Sequence, residues 1–322
     1  MEWFSLSLVF LISLLILHRA GEQIVKSLER LSRIMGVSKF TISFFVMAIA
    51  ASLPNLFIGI TSAIQGIPEL SLGDILGSNI IDLTLGISLA ILFTRGNILS
   101  TQKKLIQTSA IFTLAAAVLP LFLIHDGLLD SGDGVVLIAF FLIYIYWLIS
   151  KRKHHPETHP PEEDAKVIST IKFTLVDMAK ILVGVALLFF AAQGVVWSVI
   201  QMAQLAQLPI IFIGMVLVGL ASSLPEIYFA VVSARRGETD MILGNLMGSV
   251  IIPTSVVLGI VAIIHPISVT NIPLIDISRI FIVAIAVLFY FFARSQKQIT
   301  KKESWILLAL YLIFVLVVFG NN

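Results

Sequence analysis

Two acidic residues lie in the middle of long apolar stretches, where a charge is costly and usually marks the path of an ion. Glu226 follows Pro225 at the centre of one stretch, and Asp82 lies in another, eight residues after Asp74. Asp74 falls closer to one end of its stretch and is left out of the predicted site. The chemistry available to two such carboxylates is the binding of a cation.

Polar residues without charge accompany the acids at helical spacing. The pairs are Ser52 with Asn55, Ser78 with Asp82, and Ser223 with Glu226. Residues three or four apart share one face of a helix, so each pair presents its oxygens together. Hydroxyl, amide and carboxylate oxygens suit Ca²⁺, Mg²⁺ or Na⁺ better than a soft metal. Two carboxylates supply a charge of about −2, which matches one Ca²⁺ or two monovalent ions in turn.

These residues belong to an internal repeat. Residues 48–80 align without gaps on residues 219–251, with 12 identities in 33 positions. The shared Ser-Leu-Pro and Gly-x-x-x-Gly-Ser patterns are more specific than apolar composition. Each copy has a proline, Pro54 or Pro225, inside an apolar helix, where it removes a backbone donor and frees carbonyls one turn earlier.

The elements that must carry the repeat are membrane helices. The 322 residues are 58% hydrophobic and 12% charged, against about 25% charged in a soluble globular protein. This balance excludes a soluble enzyme, a nucleic-acid binder and a disordered linker. There is no cysteine, which excludes disulfides, thiolate metal sites and cysteine nucleophiles.

Ten apolar runs are long enough to cross a bilayer, which takes roughly 20 residues. They fall near 3–20, 41–63, 70–94, 105–124, 135–150, 173–200, 210–234, 241–264, 272–293 and 304–319. The first run has no basic residue before it and no small-residue cleavage site after it, so we expect it to remain as a membrane helix.

The basic residues predict the orientation of these spans. The connections after the odd-numbered spans, together with the span ends that adjoin them, hold 20 of the 21 Lys and Arg residues. By the positive-inside rule these connections are cytoplasmic and both termini are external. We expect a five-helix repeat over 1–150 (α-repeat about 38–86), a cytoplasmic linker over 151–168, and a second five-helix repeat over 169–322 (α-repeat about 209–257).

The two copies of the repeat enter the membrane from opposite sides, because one follows span 1 and the other follows span 6. Inverted repeats with helices broken at mid-membrane are typical of secondary transporters, whose site lies between the repeats. Carbonyls freed near Ala50 and Ala221 are tolerable at that depth only if they line a polar cavity. The predicted fold is an all-α polytopic membrane protein with ten transmembrane helices, arranged as two inverted five-helix repeats with helices 2 and 7 broken.

At these segments the chain resembles the cation/Ca²⁺ exchanger superfamily, the sodium/calcium exchanger-like membrane proteins. The first signature is Ala-Ala-Ser-Leu-Pro-Asn at 50–55 and Leu-Ala-Ser-Ser-Leu-Pro-Glu at 220–226. The second is Gly-Ser-Asn-Ile-Ile-Asp at 77–82 and Gly-Ser-Val-Ile-Ile-Pro at 248–253. Nearly the whole chain is covered by the resemblance, including two sets of five spans and a central loop.

The resemblance implies a set of cation ligands. They are Ser52, Asn55, Ser78 and Asp82 from the first repeat, Ser222, Ser223, Glu226 and Ser249 from the second, and the backbone carbonyls of Ala48 and Gly219. Asn55 stands where the family usually has a glutamate, and Pro253 where it has an asparagine or aspartate. We therefore expect a pocket poorer in charge than is usual, with altered stoichiometry, proton coupling or a different cation.

The predicted function is secondary-active antiport of Ca²⁺, or a related divalent cation, against Na⁺ or H⁺ by alternating access. The alternative is a transport-impaired homologue that acts as a membrane scaffold or cation sensor. An intramembrane enzyme would need clustered aspartates, or histidines with a hydroxyl, and no such cluster occurs in the sequence. We expect no cofactor, no partners beyond the lipid bilayer and inorganic cations, and a prokaryotic cytoplasmic membrane as the location.

Overall fold

The computed structural model describes residues 2–34, 52–94, 96, 98–102, 104–152, 167–237, 239–269 and 272–320. In the first half the helices are α1 (Glu2–Ile34), α2 (Leu53–Ile64), α3 (Glu69–Phe93), α4 (Lys104–Leu123) and α5 (Ser131–Arg152). In the second half they are α6 (Val167–Ala206), α7 (Ile210–Arg236), α8 (residues 239–264), α9 (Ile272–Arg294) and α10 (Lys301–Gly320). Nine of these described helices are long and apolar enough to cross a membrane, and α2 is a shorter apolar helix that follows residues outside the described set. The predicted all-α architecture of two five-helix repeats is confirmed.

Three π-helical turns interrupt the central helices. One lies in α3 at Asp82–Gly86 and one in α8 at Pro253–Val257. These two are separated by the repeat offset of 171 residues, so the inverted halves share their backbone irregularity as well as their sequence. The third lies in α7 at Gly214–Val218, and the α-helix then continues through Pro225. The departure from α-helical geometry in α7 therefore comes earlier in the chain than Pro225, from which a break in helix 7 was predicted.

The first helix of each half is longer than the sequence predicts. α1 has 33 residues and α6 has 40, which correspond to lengths of about 50 and 60 Å. A hydrocarbon core is about 30 Å thick, so both helices extend beyond it or tilt. They pack against each other, with Gly184 of α6 beside Ile24 of α1 and Gly194 of α6 against the hydroxyl of Ser13.

Two short antiparallel sheets tie the repeats together at their connections. β1 (Ile98–Ser100) pairs with β4 (Gln298–Thr300), and β2 (Leu128–Leu129) pairs with β3 (Ile267–Ser268). β1 and β4 follow α3 and α9, whereas β2 and β3 follow α4 and α8. Each sheet thus joins connections that the span count assigns to the same side of the membrane.

The centre of the molecule is α3. Every residue from 70 to 84 is buried, although α3 carries two aspartates in that stretch. It packs against α2 of its own repeat and against α7 and α8 of the other. A helix surrounded by protein in this way can hold polar groups at membrane depth, which a lipid-facing helix cannot.

Candidate cation-binding site

One face of α3 carries a line of polar side chains. Asp74, Ser78 and Asp82 are spaced four residues apart, and their exposed fractions are 1%, 3% and 1%. Ionisable groups buried to this degree inside a membrane helix almost always pair with other polar groups or with an ion. The partners of this face come from the second repeat.

Two glycines let α7 approach this face closely. A Cβ atom added at Gly73 would overlap the carbonyl of Ile211, and one added at Gly77 would overlap the carbonyl of Met215. Met215 belongs to the π-helical turn of α7. Backbones in contact bring the short serine side chains that follow in α7 within reach of α3, as small residues do in membrane-helix interfaces.

Asp74 is bound by α7. The Ser222 hydroxyl donates to Asp74 Oδ1 at 2.8 Å, and it also lies 3.2 Å from the Gly219 carbonyl in its own helix. The next hydroxyl, that of Ser223, is 3.4 Å from the Ser78 carbonyl and lies beside the Asp82 carboxylate. The two adjacent serines of α7 therefore reach successive turns of α3.

Asp82 is bound by α8. The Ser249 hydroxyl donates to Asp82 Oδ2 at 2.5 Å and lies 3.0 Å from the Leu246 carbonyl. One turn earlier on α3, Asn79 Nδ2 donates to Thr254 Oγ1 at 2.8 Å. Asp82 and Thr254 each lie in a π-helical turn, so the irregular segments of the two repeats meet here.

Glu226 completes the acidic group from α7. It lies one helical turn after Ser222, and its carboxylate is close enough to interact electrostatically with Asp82 and with Asp74. Like charges gathered in a low-dielectric interior repel strongly unless a cation or a proton compensates them. The arrangement therefore favours the binding of positive charge between α3, α7 and α8.

Each of the three acids has one buried oxygen that no other described residue satisfies. These atoms are Asp74 Oδ2, Asp82 Oδ1 and Glu226 Oε2. Buried polar atoms in native structures nearly always have a partner, so such oxygens are the positions where a cation or an ordered water binds. They are free to ligate while the other oxygen of each aspartate is held by a serine.

Comparison with known proteins decides the family. A family model described as sodium/calcium exchanger protein matches residues 5–150 and 177–320, which are the two five-helix halves. The chain belongs to the sodium/calcium exchanger family. This protein is accordingly an integral membrane protein of a transporter family.

This exchanger-family protein is also similar to several known proteins and solved structures. An uncharacterised membrane protein of Methanocaldococcus jannaschii is 27% identical over 306 residues, covering 95% of each chain. The sodium/calcium exchanger MaX1 of Methanosarcina acetivorans is 24% identical, covering 97% of this chain and 98% of that one. The sodium-calcium exchanger NCX_Mj soaked with Na⁺ and Sr²⁺ has a TM-score of 0.64 at 26% identity, covering 98% of both chains. The H⁺/Ca²⁺ exchanger CAX shares the fold, with a TM-score of 0.78 at 17% identity over 97% of this chain and 82% of that one.

The structure brings most of the predicted ligands of this exchanger-family protein to one region. Ser78, Asp82, Ser222, Ser223, Glu226, Ser249 and Gly219 all lie where α3, α7 and α8 meet. The Gly219 carbonyl lies 3.2 Å from the hydroxyl of Ser222, the serine that donates to Asp74. Their role as cation ligands remains a prediction.

The predicted ligands of α2 are less closely linked to the acids. Ser52 is buried just before α2, and its carbonyl accepts from the Leu56 amide at 3.0 Å. Asn55 is half-buried in the first turn of α2, and no hydrogen bond within the described residues joins it to an acid. Ala48 lies outside the described residues, so its carbonyl stays a prediction.

Sequence reasoning missed Asp74 and therefore underestimated the acidic charge of the site. Asp74 was set aside because it falls toward one end of its apolar stretch, but α3 is buried on all sides there and Asp74 faces Ser222. The signal was its spacing, since Asp74, Ser78 and Asp82 share one helix face. The interface between α3, α7 and α8 therefore holds three acids where two were expected.

Pro253 offers no side-chain ligand, but it affects the backbone of α8. It begins the π-helical turn of α8 and has no amide hydrogen, so the carbonyl one turn earlier, at Ser249, loses its usual donor. Ser249 is the residue whose hydroxyl holds Asp82. The proline offers the site no side-chain oxygen and removes one backbone donor beside it.

Proposed function

We propose that this protein is a secondary-active antiporter that exchanges Ca²⁺, or a related divalent cation, against Na⁺ or H⁺ by alternating access. The observation that carries the proposal is the pair Asp82 and Glu226. Asp82 is buried and Glu226 is half-buried where the two inverted repeats meet, and each has a buried carboxylate oxygen without a partner among the described residues. Family membership and the exchangers among the relatives support the same function.

In this mechanism Asp82 and Glu226 provide the charge that balances a divalent ion. Hard oxygen ligands at about 2.3–2.6 Å are what Ca²⁺ requires, usually six to eight of them. The hydroxyls of Ser249, Ser223 and Ser78 and the carbonyl of Gly219 would add uncharged oxygens. Ser52 and Asn55 would contribute from α2. Two carboxylates and several neutral oxygens also suit Na⁺, so the two ions can occupy the same pocket in turn.

Alternating access requires part of the molecule to move past the site. α1 and α6 pack chiefly on each other; both also contact α2, and α6 contacts the start of α7. The remaining helices are joined across the repeats by the two sheets and by the packing of α3 against α7, α8 and α10. We propose that α1 and α6 slide as a pair along this body and expose the site to one side at a time.

The orientation proposed from the positive-inside rule places both termini and the β2–β3 sheet outside. The β1–β4 sheet then faces the cytoplasm, together with residues 151–168. With this orientation an inward Na⁺ or H⁺ gradient would drive Ca²⁺ out of a cell.

Uptake of ⁴⁵Ca²⁺ into proteoliposomes tests the proposal. Vesicles that contain the purified protein are loaded with Na⁺, with K⁺ or at low pH, and then diluted into medium without that ion. We expect an outward Na⁺ or H⁺ gradient to drive the accumulation of ⁴⁵Ca²⁺. We expect no accumulation when the medium is the same inside and outside the vesicles. Saturable ⁴⁵Ca²⁺ binding by the purified protein without accumulation under any gradient would contradict antiport, and would favour the transport-impaired scaffold or sensor.

A further inference from the structure

The internal repeat includes the two long helices as well as the central ones. At the same offset of 171 residues, α1 corresponds to residues 173–205 of α6. Several equivalent positions hold the same residue type and are buried in both helices, so the two helices present the same face to the protein. These positions are Leu17, Ala20 and Ser27 in α1, and Leu188, Ala191 and Ser198 in α6. The contacts of α6 can therefore be compared, position by position, with those of α1.

The pair of long helices covers only one of two equivalent faces. α6 packs on residues 53–64 of α2, whereas α1 makes no contact of similar extent with the equivalent residues of α7, although both helices are among those described. Leu53 and Phe57 of α2 are half-buried, but their counterparts Leu224 and Tyr228 of α7 are 56% and 73% exposed. This conformation is therefore closed along α2 and open along the equivalent part of α7.

A pair of amides joins the two helices on the closed side. Gln65 Nε2, at the end of α2, donates to Gln193 Oε1 of α6 at 2.6 Å. At the repeat offset Gln65 corresponds to Arg236, at the end of α7, and Gln193 corresponds to Glu22 of α1. Two neutral amides on one side thus have a base and an acid as counterparts on the other. Opposite charges at these positions attract each other whenever the two helices approach.

We propose that Glu22 and Arg236 form an ion pair that closes the α7 side of the molecule when the Gln65–Gln193 bond is broken. Inverted repeats exchange their arrangements as access alternates, so a contact made by one repeat recurs at the equivalent positions of the other. The inference rests on the proposed function, because it requires two conformations in turn. In the proposed orientation this ion pair lies on the cytoplasmic side and the amide pair on the external side.

Glu22 has a different partner in the present conformation. Its Oε2 atom lies 3.5 Å from Lys26 Nζ, one helical turn along α1, and no ion pair within the described residues joins it to Arg236. Glu22 and Arg236 are both exposed. The Glu22 carboxylate is therefore compensated while this side is open, and its pairing with Arg236 requires no burial of an isolated charge.

The neighbouring arginine is committed to another helix. The Arg235 guanidinium carbon lies 4.9 Å from the centre of the Phe93 ring, at the end of α3. Successive residues of an α-helix are about 100° apart around its axis, so Arg236 leaves α7 in a different direction. Of these two adjacent bases, the repeat therefore assigns Arg236 to the contact with α1.

The two contacts differ in their response to salt. The amide pair carries no net charge, whereas the attraction between an exposed acid and an exposed base is screened as ionic strength rises. Exposed ion pairs are weak, so this one should change the ratio of the two conformations by up to about fivefold. The ion pair thus favours the conformation that is closed on the α7 side without locking the protein in it.

Cross-linking of the purified full-length protein tests whether Glu22 and Arg236 meet. The natural chain has no cysteine, so Glu22→Cys with Arg236→Cys can be joined by a short bifunctional methanethiosulfonate reagent. We expect this pair to cross-link faster than the control pair Glu22→Cys with Arg235→Cys. Adding Gln65→Ala, which removes the opposite contact, should raise the rate at least about twofold. The matched control for that change is Gln204→Ala, an exposed glutamine of α6 about three turns after Gln193.

The charges are tested from the opposite side of the molecule. In a protein with Gln65→Cys and Gln193→Cys, Glu22→Gln should speed cross-linking by about twofold to fivefold, because closure along α7 is weakened. The double reversal Glu22→Arg with Arg236→Glu should restore the original rate. Asp276→Asn is the control, since Asp276 is an exposed acid paired locally with Arg279, as Glu22 is with Lys26. Rescue by reversal separates the ion pair with Arg236 from the loss of the Lys26 contact, which both variants share.

Three results would overturn the ion pair. These are cross-linking of Glu22→Cys with Arg236→Cys no faster than with Arg235→Cys, equal effects of Gln65→Ala and Gln204→Ala, and a double reversal as fast as Glu22→Gln. Cross-linking reports conformation and needs no Ca²⁺ flux, so the proposed function is judged separately. Any of these results in a protein whose wild type accumulates ⁴⁵Ca²⁺ would overturn the ion pair alone, whereas a wild type without accumulation would contradict antiport.

Discussion

At the scale of single residues, the site depends on serines that hold carboxylates across the interface of the two repeats. Ser222 and Ser249 each donate to one oxygen of an aspartate on α3. Hydrogen bonds to ionised groups are worth about 1.5–3 kcal/mol, and a buried charge that loses its donor is left at full desolvation cost. The serines therefore fix the aspartates in place and leave the second oxygen of each available for an ion.

Replacement of Ser249 tests this role. In Ser249→Ala, Asp82 loses its donor from α8, and we expect the Kd for Ca²⁺ to rise by about tenfold or more, because a bond to a charged group of about 1.5–3 kcal/mol is lost. The measurement is ⁴⁵Ca²⁺ binding to the purified variant. Ser198→Ala is the matched control, since the Ser198 hydroxyl is buried and donates to the Val195 carbonyl of its own helix. Equal affinities in the two variants would show that Ser249 does not support the site.

The residue types in the site were predictable to different degrees. Glu226, Asp82, Ser78 and Ser223 follow from helical spacing and from the repeat, because both are properties of the sequence alone. Ser222 and Ser249 were expected as ligands only from the family resemblance. Asp74 shares the helical spacing, but its burial depends on which helices surround α3, and no sequence pattern gives that. The bond between Asn79 and Thr254 joins positions that are 175 residues apart, and no local pattern indicates it.

At the scale of elements, the structure separates a pair of long helices from the helices that carry the acids. α6 meets the body of the molecule at the end of α2, where Gln65 Nε2 donates to Gln193 Oε1 at 2.6 Å. The bond joins exposed side chains and can exchange with water at little cost. A contact of this kind can break and reform as α6 slides along α2.

Cross-linking at this contact tests the sliding motion. The natural chain has no cysteine, so Gln65→Cys with Gln193→Cys can be joined by a short bifunctional methanethiosulfonate reagent without background. We expect cross-linking to stop ⁴⁵Ca²⁺ transport and a reductant to restore it, because a tethered α6 cannot move past α2. The control pair is Ile98→Cys with Thr300→Cys, which face each other in the β1–β4 sheet of the body. Full transport by the cross-linked Gln65–Gln193 variant would rule out the sliding pair.

Element positions were predictable because a span needs about 20 apolar residues whatever it packs against. The lengths of the helices were not predictable, since α1 and α6 continue into polar sequence that composition alone assigns to a loop. The position of the π-helical turn in α7 was also not predictable from Pro225. That turn faces Gly73 and Gly77 of α3, so it depends on a partner helix from the other half of the chain.

At the scale of the whole molecule, the two halves are related by a repeat that the structure shows in its backbone. The π-helical turns of α3 and α8 are at equivalent positions of the repeat. The repeat also relates the two small sheets to each other, because the strands after α3 and α4 correspond to those after α8 and α9. The sequence repeat and the alternation of basic loops were sufficient to predict this architecture. The site departs from the symmetry, because Asp74, Asp82 and Glu226 correspond to Asn245, Pro253 and Asn55.

Accessibility of the two ends of α9 tests the proposed orientation. Ser268, in β3 before α9, and Ser295, just after α9, are both exposed, and each can be replaced by a single cysteine. We expect a membrane-impermeant maleimide to label Ser268→Cys in intact cells and Ser295→Cys only after permeabilisation, because basic residues predict the second end to be cytoplasmic. The reverse pattern would invert the orientation, and labelling of both from outside would contradict the span count.

The most direct test of the account is gradient-driven ⁴⁵Ca²⁺ uptake by proteoliposomes containing Glu226→Gln, compared with wild type and with Asp276→Asn. The substitution keeps the size of the side chain and removes the charge that is proposed to balance the ion together with Asp82. The account predicts that Glu226→Gln loses at least about 99% of the wild-type rate at a fixed, subsaturating Ca²⁺ concentration, as expected when a buried ion of charge +2 loses one of two carboxylates, while Asp276→Asn transports normally. Uptake by Glu226→Gln at the rate of wild type would contradict the claim that the divalent cation binds between the two repeats.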